Sequence, residues 1–360
     1  MKKNNTFRRA AALMAALSIT VSLAVPAFAD TYYIDYGDIT ITKNEDGSQT
    51  IEQGGEEWTD KAGEETVITT SNTVITTLES DLEGPAAEDS GFGPVAEDNY
   101  QPAQPESTEE PKGADQPESA EEPKSADQHE SAEQAQPQQA APAAAAAPAR
   151  NIITVINNFA NTVLNLTLRD VKIDVSDTGS YWVEGKAALS VQGKGNVEIE
   201  LDGNNELKSG KGRAGLEKTS TGTLTLKDDN KEAGSLTATG GYNGAGIGGG
   251  NGDGAENITI TGGTVTATGG SSGAGIGGGR EGKGENITIT GGTVNATGNE
   301  DGAGIGGGSS GSGENITIND GKVTATGGSY AAGIGGGSVG AWGGDAGSGK
   351  NITINGGTVN

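Results

Sequence analysis

A glycine-rich heptapeptide recurs at a fixed interval in the last third of the chain. The sequence "GAGIGGG" occupies residues 244–250, 273–279 and 302–308, and "AAGIGGG" follows at 331–337. Each copy begins 29 residues after the previous one, so the central isoleucine keeps a constant phase. A fixed interval of this length is typical of solenoids, in which each unit forms one coil and stacks on the next.

The residues between the heptapeptides alternate between apolar and polar, which is the pattern of β-strands. In the unit at residues 257–285, Ile258, Ile260, Val265 and Ala267 are predicted to face inward between outward threonines. Burying four such side chains contributes about 6 to 12 kcal/mol per unit. Ordering the backbone costs about 1 to 2 kcal/mol per residue, so one unit cannot fold alone. Stacked units can, and the sequence predicts an all-β parallel β-helix.

Stacking in phase predicts columns of identical side chains. The predicted columns are Ile247, Ile276, Ile305 and Ile334; Ile258, Ile287, Ile316 and Ile352; Val265, Val294, Val323 and Val359; Ala267, Ala296 and Ala325; and, at a corner, Asn257, Asn286, Asn315 and Asn351. The last asparagine follows after 36 residues, so seven extra residues enter the final unit as a loop that carries Trp342.

The chain divides into four segments by composition. Residues 1–29 are typical of a secretory signal, with basic residues, an apolar run and the cleavage site Ala27-Phe28-Ala29. The apolar run is too short for a membrane span, so we expect a secreted or cell-surface protein without membrane insertion after cleavage. Residues 30–80 are predicted to form a small β segment or cap. Residues 81–149 are predicted to form a disordered Pro/Glu/Ala-rich linker, and residues 150–360 are predicted to form the β-helix.

Charge and composition exclude several classes of function. The formal charge is −26, which argues against nucleic acid and anionic membranes as partners and leaves cations and neutral polymers open. The chain has no cysteine, and its one histidine, His129, lies in the linker. Ser/His and Cys/His catalysis are therefore excluded. The best group of charged residues for catalysis is Asp170, Lys172 and Asp174. Their alternation is explained more simply by a strand face exposed to solvent.

Two sets of residues are candidate ligand contacts. The segment "GGNGDGAEN" at 249–257 resembles a calcium-binding nonapeptide, and Ca²⁺ is a candidate ligand if the corner carboxylates converge. Those carboxylates are Asp253, Glu256, Glu285 and Glu314, with ordinary solvated corners as the alternative. The candidate carbohydrate contacts are the aromatic residues Tyr242, Tyr330 and Trp342, with Tyr181 and Trp182 earlier in the chain.

The segment from "VKIDVSDTGSYWVEGKAALSV" through "GSLTATGGYNGAGIGGG" to the "NITITGGTVTATGG" units resembles the secreted carbohydrate-binding β-helix proteins of anaerobic Gram-positive bacteria. The resemblance covers roughly residues 150–360 and part of 30–80. It implies a right-handed β-helix, display outside the cell, and binding of a polysaccharide or cell-wall glycan, supported by calcium. The long acidic insert departs from the compact form of that family.

The sequence thus favours a non-enzymatic, exported protein that binds carbohydrate or the cell surface. An adhesin or structural stalk with a protein ligand is the alternative, and a polysaccharide lyase or hydrolase comes third. The sequence stops at "NGGTVN" in mid-unit, so we expect the natural protein to continue beyond residue 360.

Overall fold

The structure is a computed structural model that describes residues 30–62, 65–70, 147–230, 232–339, 343 and 345–360. Within these residues the fold is all β, apart from one turn of 3-10 helix at Ile34–Tyr36. In the same residues no helix is long and apolar enough to cross a membrane. The predicted linker falls almost entirely outside the described part of the chain, as do the signal segment and Trp342.

In chain order the strands are β1 (Asp30–Tyr33), β2 (Ile39–Lys43), β3 (Gln49–Gln53), β4 (Glu56–Asp60), β5 (Thr66–Thr69), β6 (Ile153–Asn157), β7 (Val163–Arg169), β8 (Lys172–Asp174), β9 (Leu189–Gly193), β10 (Asn196–Lys208), β11 (Leu216–Lys218), β12 (Leu224–Lys227), β13 (Gly234–Thr239), β14 (Ile247–Gly248), β15 (Ala255–Ile260), β16 (Thr264–Thr268), β17 (Ile276–Gly277), β18 (Gly284–Ile289), β19 (Thr293–Thr297), β20 (Ile305–Gly306), β21 (Gly313–Ile318), β22 (Lys322–Thr326), β23 (Ile334–Gly335), β24 (Gly349–Ile354) and β25 (Thr358–Val359).

The strands form three faces of a parallel β-helix, which confirms the predicted architecture. Face A runs β1, β5, β7, β10, β12, β15, β18, β21, β24, and face B runs β4, β3, β2, β6, β9, β11, β14, β17, β20, β23. Face C runs β8, β10, β13, β16, β19, β22, β25. Strand β10 is long enough to serve both face A and face C. Each coil visits face B, then A, then C, and the loop from C back to B is here called the third corner.

The predicted columns are present with the predicted register. Ile247 pairs with Ile276 and Ile276 with Ile305 on face B, while Ile258 pairs with Ile287 on face A. Val265 pairs with Val294 on face C. These side chains have no solvent exposure and belong to one continuous core. The stacking thus supplies the burial that a single unit lacks.

The repeated asparagines form the predicted ladder. Asn286 donates from Nδ2 to Oδ1 of Asn257 over 3.1 Å, Asn315 donates to Asn286 over 3.0 Å, and Asn351 donates to Asn315 over 3.0 Å. Each of the four has a φ between 53° and 59°, in the left-handed region that asparagine tolerates better than most residues. The column therefore combines a backbone requirement with side-chain hydrogen bonds.

The glycine after each face B isoleucine is required by close approach between coils. Gly277 has a φ of 134°, and a Cβ there would lie 2.0 Å from the carbonyl oxygen of Gly306 in the next coil. Gly248 and Gly306 have the same arrangement with the coils that follow them. Rigidity here comes from registered backbone contact, which only glycine permits.

The segment at residues 30–70 is an integral end of the β-helix. Strand β2 pairs in parallel with β6, and β5 pairs in parallel with β7, so the chain on either side of residues 71–146 builds adjacent coils. Strands β2, β3 and β4 form an antiparallel meander at the edge of face B. Ala149 also bridges to Ile173, so a residue assigned to the predicted linker takes part in the β-helix.

Candidate functional site

A long loop at the third corner presents two aromatic side chains to solvent. It connects β8 to β9 across residues 175–188, where the later coils use only the seven residues 240–246 or their equivalents. Ser180 donates its backbone N–H to the Val183 carbonyl over 2.7 Å, which closes a turn with Tyr181 and Trp182 at its tip. The two residues are 72% and 88% exposed, and their rings meet edge to face at 4.6 Å. Large aromatic rings held in water are typical of binding surfaces.

Backbone hydrogen bonds fix the base of this loop to the next coil. Gly185 donates to the Lys211 carbonyl over 2.7 Å, and Lys211 donates to the Thr178 carbonyl over 3.0 Å. The Thr178 hydroxyl accepts a hydrogen bond from the Lys186 N–H over 2.8 Å. Because the loop is tied at its base, the tip residues lose little conformational entropy when they bind a ligand.

A lysine joins these rings to a tyrosine of the following coil. The Nζ of Lys211 lies 4.8 Å from the ring centroid of Tyr181 and 5.0 Å from that of Tyr242, both within cation–π range. Tyr242 is 53% exposed and occupies the same corner one coil beyond Lys211 and two coils beyond the loop of Tyr181 and Trp182. We call Tyr181, Trp182, Lys211 and Tyr242 the aromatic corner. It is the one place in the described chain where exposed aromatic rings from different coils share a contact residue.

The other two aromatic residues predicted from sequence lie apart from this group. Tyr330 is 84% exposed at the third corner, but three coils beyond Tyr242, which corresponds to roughly 14 Å along the axis. It lines an open cleft of about 940 Å³ together with Ser329 and Ser338. Trp342 lies outside the described residues. The structure therefore brings Tyr242 together with Tyr181 and Trp182, and not with Tyr330.

Lys211 is the residue that sequence reasoning missed. A signal for it exists, because Lys211 and Tyr242 stand at equivalent positions before "RAGL" and "GAGI" in successive coils. The loop of residues 175–188 does not follow the repeat, so the periodicity of the sequence could not predict which way the loop runs.

Three of the four carboxylates predicted to bind calcium form a column, and the fourth lies in a corner loop. Glu256 pairs in register with Glu285 and Glu285 with Glu314, one coil apart, and Asp253 lies in the preceding corner loop. Glu314 forms ion pairs with Lys350 at 3.2 Å and Lys283 at 3.7 Å. Across the described residues, no three acidic, histidine or cysteine side chains are grouped to hold a metal ion. Three of these carboxylates are thus spaced along the axis, and bound calcium stays a prediction.

A cleft of about 270 Å³ lies beside this column. Lys218, Ser220, Glu256 and Glu285 are among its lining residues. Lys218 is almost fully buried and donates from Nζ to the Ser220 carbonyl over 2.7 Å. Burial lowers the pKa of Lys218 to about 8, while Glu256 acts in the opposite direction. The amine is thus occupied by a backbone acceptor, which indicates a structural role.

The group Asp170, Lys172 and Asp174 is also structural. Asp170 lies at the corner between β7 and β8 with a φ of 51° and accepts the Asn204 N–H over 2.9 Å. Asp174 accepts hydrogen bonds from both the N–H and the hydroxyl of Ser176, and these bonds lower its pKa. Both carboxylates therefore stabilise loops.

One buried carboxyl has a strongly shifted pKa. Glu200 on β10 is 4% exposed, and its Oε1 accepts the backbone N–H groups of Asp229 and Asn230 over 3.0 and 3.2 Å. Its Oε2 has no hydrogen bond within the described residues and lies 3.7 Å from Lys227 Nζ. Burial raises the pKa of Glu200 to about 7, and the neighbouring Asp229 carboxylate contributes in the same direction. Such a shift marks a candidate acid or base, but here the carboxyl anchors the loop that covers it.

The beta helix repeat family matches the chain at residues 232–251, 258–280, 287–309 and 316–338. These segments follow the regular coils and together cover about a quarter of the chain. Comparisons with curated proteins and with solved structures gave no match. The repeat match and the coiled sheets define a protein of the parallel β-helix type.

Proposed function

We propose that this protein is an exported, non-catalytic carbohydrate-binding β-helix, and that the aromatic corner is its binding site. The observation that carries the proposal is the exposure of Tyr181 and Trp182 on a loop that the next coil holds in place. The faces of aromatic rings pack against the C–H groups of sugar rings, and Tyr adds a hydroxyl for hydrogen bonding. Tyr242 extends this surface along the axis, so that a linear polymer has more than one point of contact.

The non-catalytic part of the proposal rests on how the carboxylates are used. Asp170, Asp174 and Glu200 each accept backbone N–H groups and stabilise loops. The export part rests on the charge and hydropathy pattern of residues 1–29. Sequencing the amino terminus of the protein recovered from culture medium or the cell surface tests it, and a mature protein that begins at Asp30 is expected.

The binding proposal is tested with a polysaccharide array and single-site variants. We expect wild-type protein to bind at least one polymer and Trp182→Ala to weaken that binding about tenfold, as loss of a central aromatic contact does. Tyr330→Ala is the comparison, since it removes an equally exposed ring outside the corner. Equal losses for both variants, or none for Trp182→Ala, would contradict a role for the aromatic corner.

An adhesin or stalk that binds a protein ligand is the second candidate. Exposed Tyr and Trp with a nearby cation also fit protein interfaces, which are enriched in aromatic residues. Binding to deglycosylated surface proteins, with no binding to purified polysaccharide, would favour this function. Release of reducing ends or unsaturated products from a bound polymer would instead indicate a polysaccharide lyase or hydrolase.

A further inference from the structure

Charged side chains of both signs surround the aromatic corner. The chain carries −26 overall, and 17 acidic residues against 2 basic ones lie between Glu79 and Glu133 alone. The charged side chains around the corner include the cations Arg150, Lys186, Lys208, Lys211 and Arg213 and the carboxylates Asp174, Asp177, Glu184, Glu206 and Glu217. The two signs therefore balance at the corner of an otherwise acidic protein.

Each of these carboxylates already forms an ion pair with a cation, which for Asp174 and Glu206 is Lys208. Asp177 forms an ion pair with Arg150. Arg213 binds Glu184 at 2.9 Å and Glu217 at 3.0 Å. Each of the arginine pairs uses one guanidinium nitrogen per carboxylate, and Arg213 is shared between Glu184 and Glu217.

Lys211 is left without an anionic partner. Its Nζ forms no hydrogen bond or ion pair with the described residues, and it lies beside the rings of Tyr181 and Tyr242. Cation–π contact holds the side chain in position but leaves the three ammonium donors directed to solvent or a ligand. The position suits an anionic group attached to a ring that packs on the same aromatic side chains.

We propose that the aromatic corner recognises a polysaccharide whose sugar rings carry an anionic group, with Lys211 as the residue that binds the anion. The inference rests on the proposed function and names its ligand class. It differs from binding to nucleic acid or anionic membranes, which requires an extended basic surface. One ammonium can bind one carboxylate or sulfate per contact, while the rings of Tyr181, Trp182 and Tyr242 bind the sugar.

Matched pairs of polymers test the inference. Polygalacturonic acid is compared with its full methyl ester, and dextran sulfate with dextran, by affinity measurements on the full chain at fixed ionic strength. We expect the acidic member of at least one pair to bind about tenfold more tightly than its neutral member. Preference in the first pair assigns a carboxylate, and preference in the second assigns a sulfate.

Lys211→Met keeps the apolar stem of the side chain and removes its charge. We expect it to abolish the preference for the acidic polymer, so that the variant binds the acidic and the neutral member of the pair with equal affinity. Lys322→Met is the control, because it removes the same charge from an exposed position on face C. Equal thermal unfolding of both variants and wild type shows that the fold is retained.

Three outcomes overturn the inference. Equal affinity for acidic and neutral polymers leaves the proposed function intact and refutes the anionic ligand. A preference that survives in Lys211→Met refutes the assignment of Lys211. If wild-type protein binds none of the four polymers nor any on the array, the proposed function fails and the inference fails with it.

Discussion

Replacing Glu200 by glutamine should change how the stability of the β-helix depends on pH. In an unfolded chain Glu200 has its ordinary pKa of 4.5, whereas burial raises the pKa in the folded protein to about 7. Between these values the folded protein retains a proton that the unfolded chain has released. The unfolded chain then binds fewer protons, so the free energy of unfolding falls as pH rises from about 4.5 to about 7.

The size of this effect follows from the environment of the carboxyl. The difference between the two pKa values corresponds to at most about 3 kcal/mol. Lys227, 3.7 Å from Oε2, and partial solvent screening at the loop reduce this to about 1 to 3 kcal/mol. In Glu200→Gln the side-chain carbonyl can still accept the Asp229 and Asn230 N–H groups, and no charge is buried. The variant should therefore be more stable than wild type at pH 8 and nearly equal to it at pH 4.5.

Urea denaturation followed by circular dichroism at pH 4.5, 6 and 8 measures this difference. The control is Glu198→Gln, which removes a charge from the same strand at a more exposed position that also contacts Lys227. The control should retain the wild-type decrease between pH 4.5 and 7. If Glu200→Gln decreases as steeply as wild type, Glu200 is not the group that titrates there, and its assignment as a buried carboxyl is refuted.

Three further substitutions test the packing of the coils, each by urea or thermal denaturation. Ile287→Ala opens a cavity between Ile258 and Ile316 and should lower the free energy of unfolding by about 2 to 5 kcal/mol. The outward Thr288→Ala should change it by less than about 0.5 kcal/mol. Similar losses for the two variants would contradict the inward column. In Gly277→Ala the residue has a positive φ, and the new Cβ would lie 2.0 Å from the carbonyl oxygen of Gly306. This variant should be destabilised far more than Gly252→Ala, where φ is 85° and no atom lies within 4 Å of the new Cβ. Equal effects would show that the coils do not approach so closely. Burial lowers the pKa of Lys218 from 10.5 to about 8, so between these values the unfolded chain binds more protons than the folded protein. The free energy of unfolding of the wild type should therefore rise over pH 8 to 10.5, and Lys218→Met should remove that rise. A rise that persists in the variant would come from another group.

The regular coils were predictable because each inward position repeats without exception. Ile276 and its equivalents specify both the coil length and the register, and Asn286 marks the corner. The pairing of β2 with β6 was not predictable, since 76 residues that lack the β-helix repeat separate the described parts that meet. Lys211 was missed for a related reason: its role depends on a loop that follows no period. The burial of Glu200 likewise depends on the loop after β12, whose path the alternation of apolar residues does not determine.

The distribution of unusual side chains separates two parts of the β-helix. Regular coils place the same side chain about 4.8 Å above its equivalent, so they produce uniform rows and not a group of different residues around one ligand. The aromatic corner, Glu200 and Lys218 all lie in the less regular coils between residues 150 and 243. In the regular coils after that point, a hydrogen bond from Lys350, which follows Glu314 in the column, lowers the pKa of Glu314, and the charge of Lys283 acts in the same direction.

Removing one regular coil should therefore leave ligand binding unchanged. Deletion of residues 273–301 joins Ser272 to Gly302 and keeps every column in phase, with one fewer coil. We expect a folded protein whose polysaccharide affinity is within about twofold of wild type, because the aromatic corner lies outside the deleted coil. If the in-phase deletion folds but loses binding while Trp182→Ala retains it, the binding surface lies on the regular coils and the assignment to the aromatic corner is wrong.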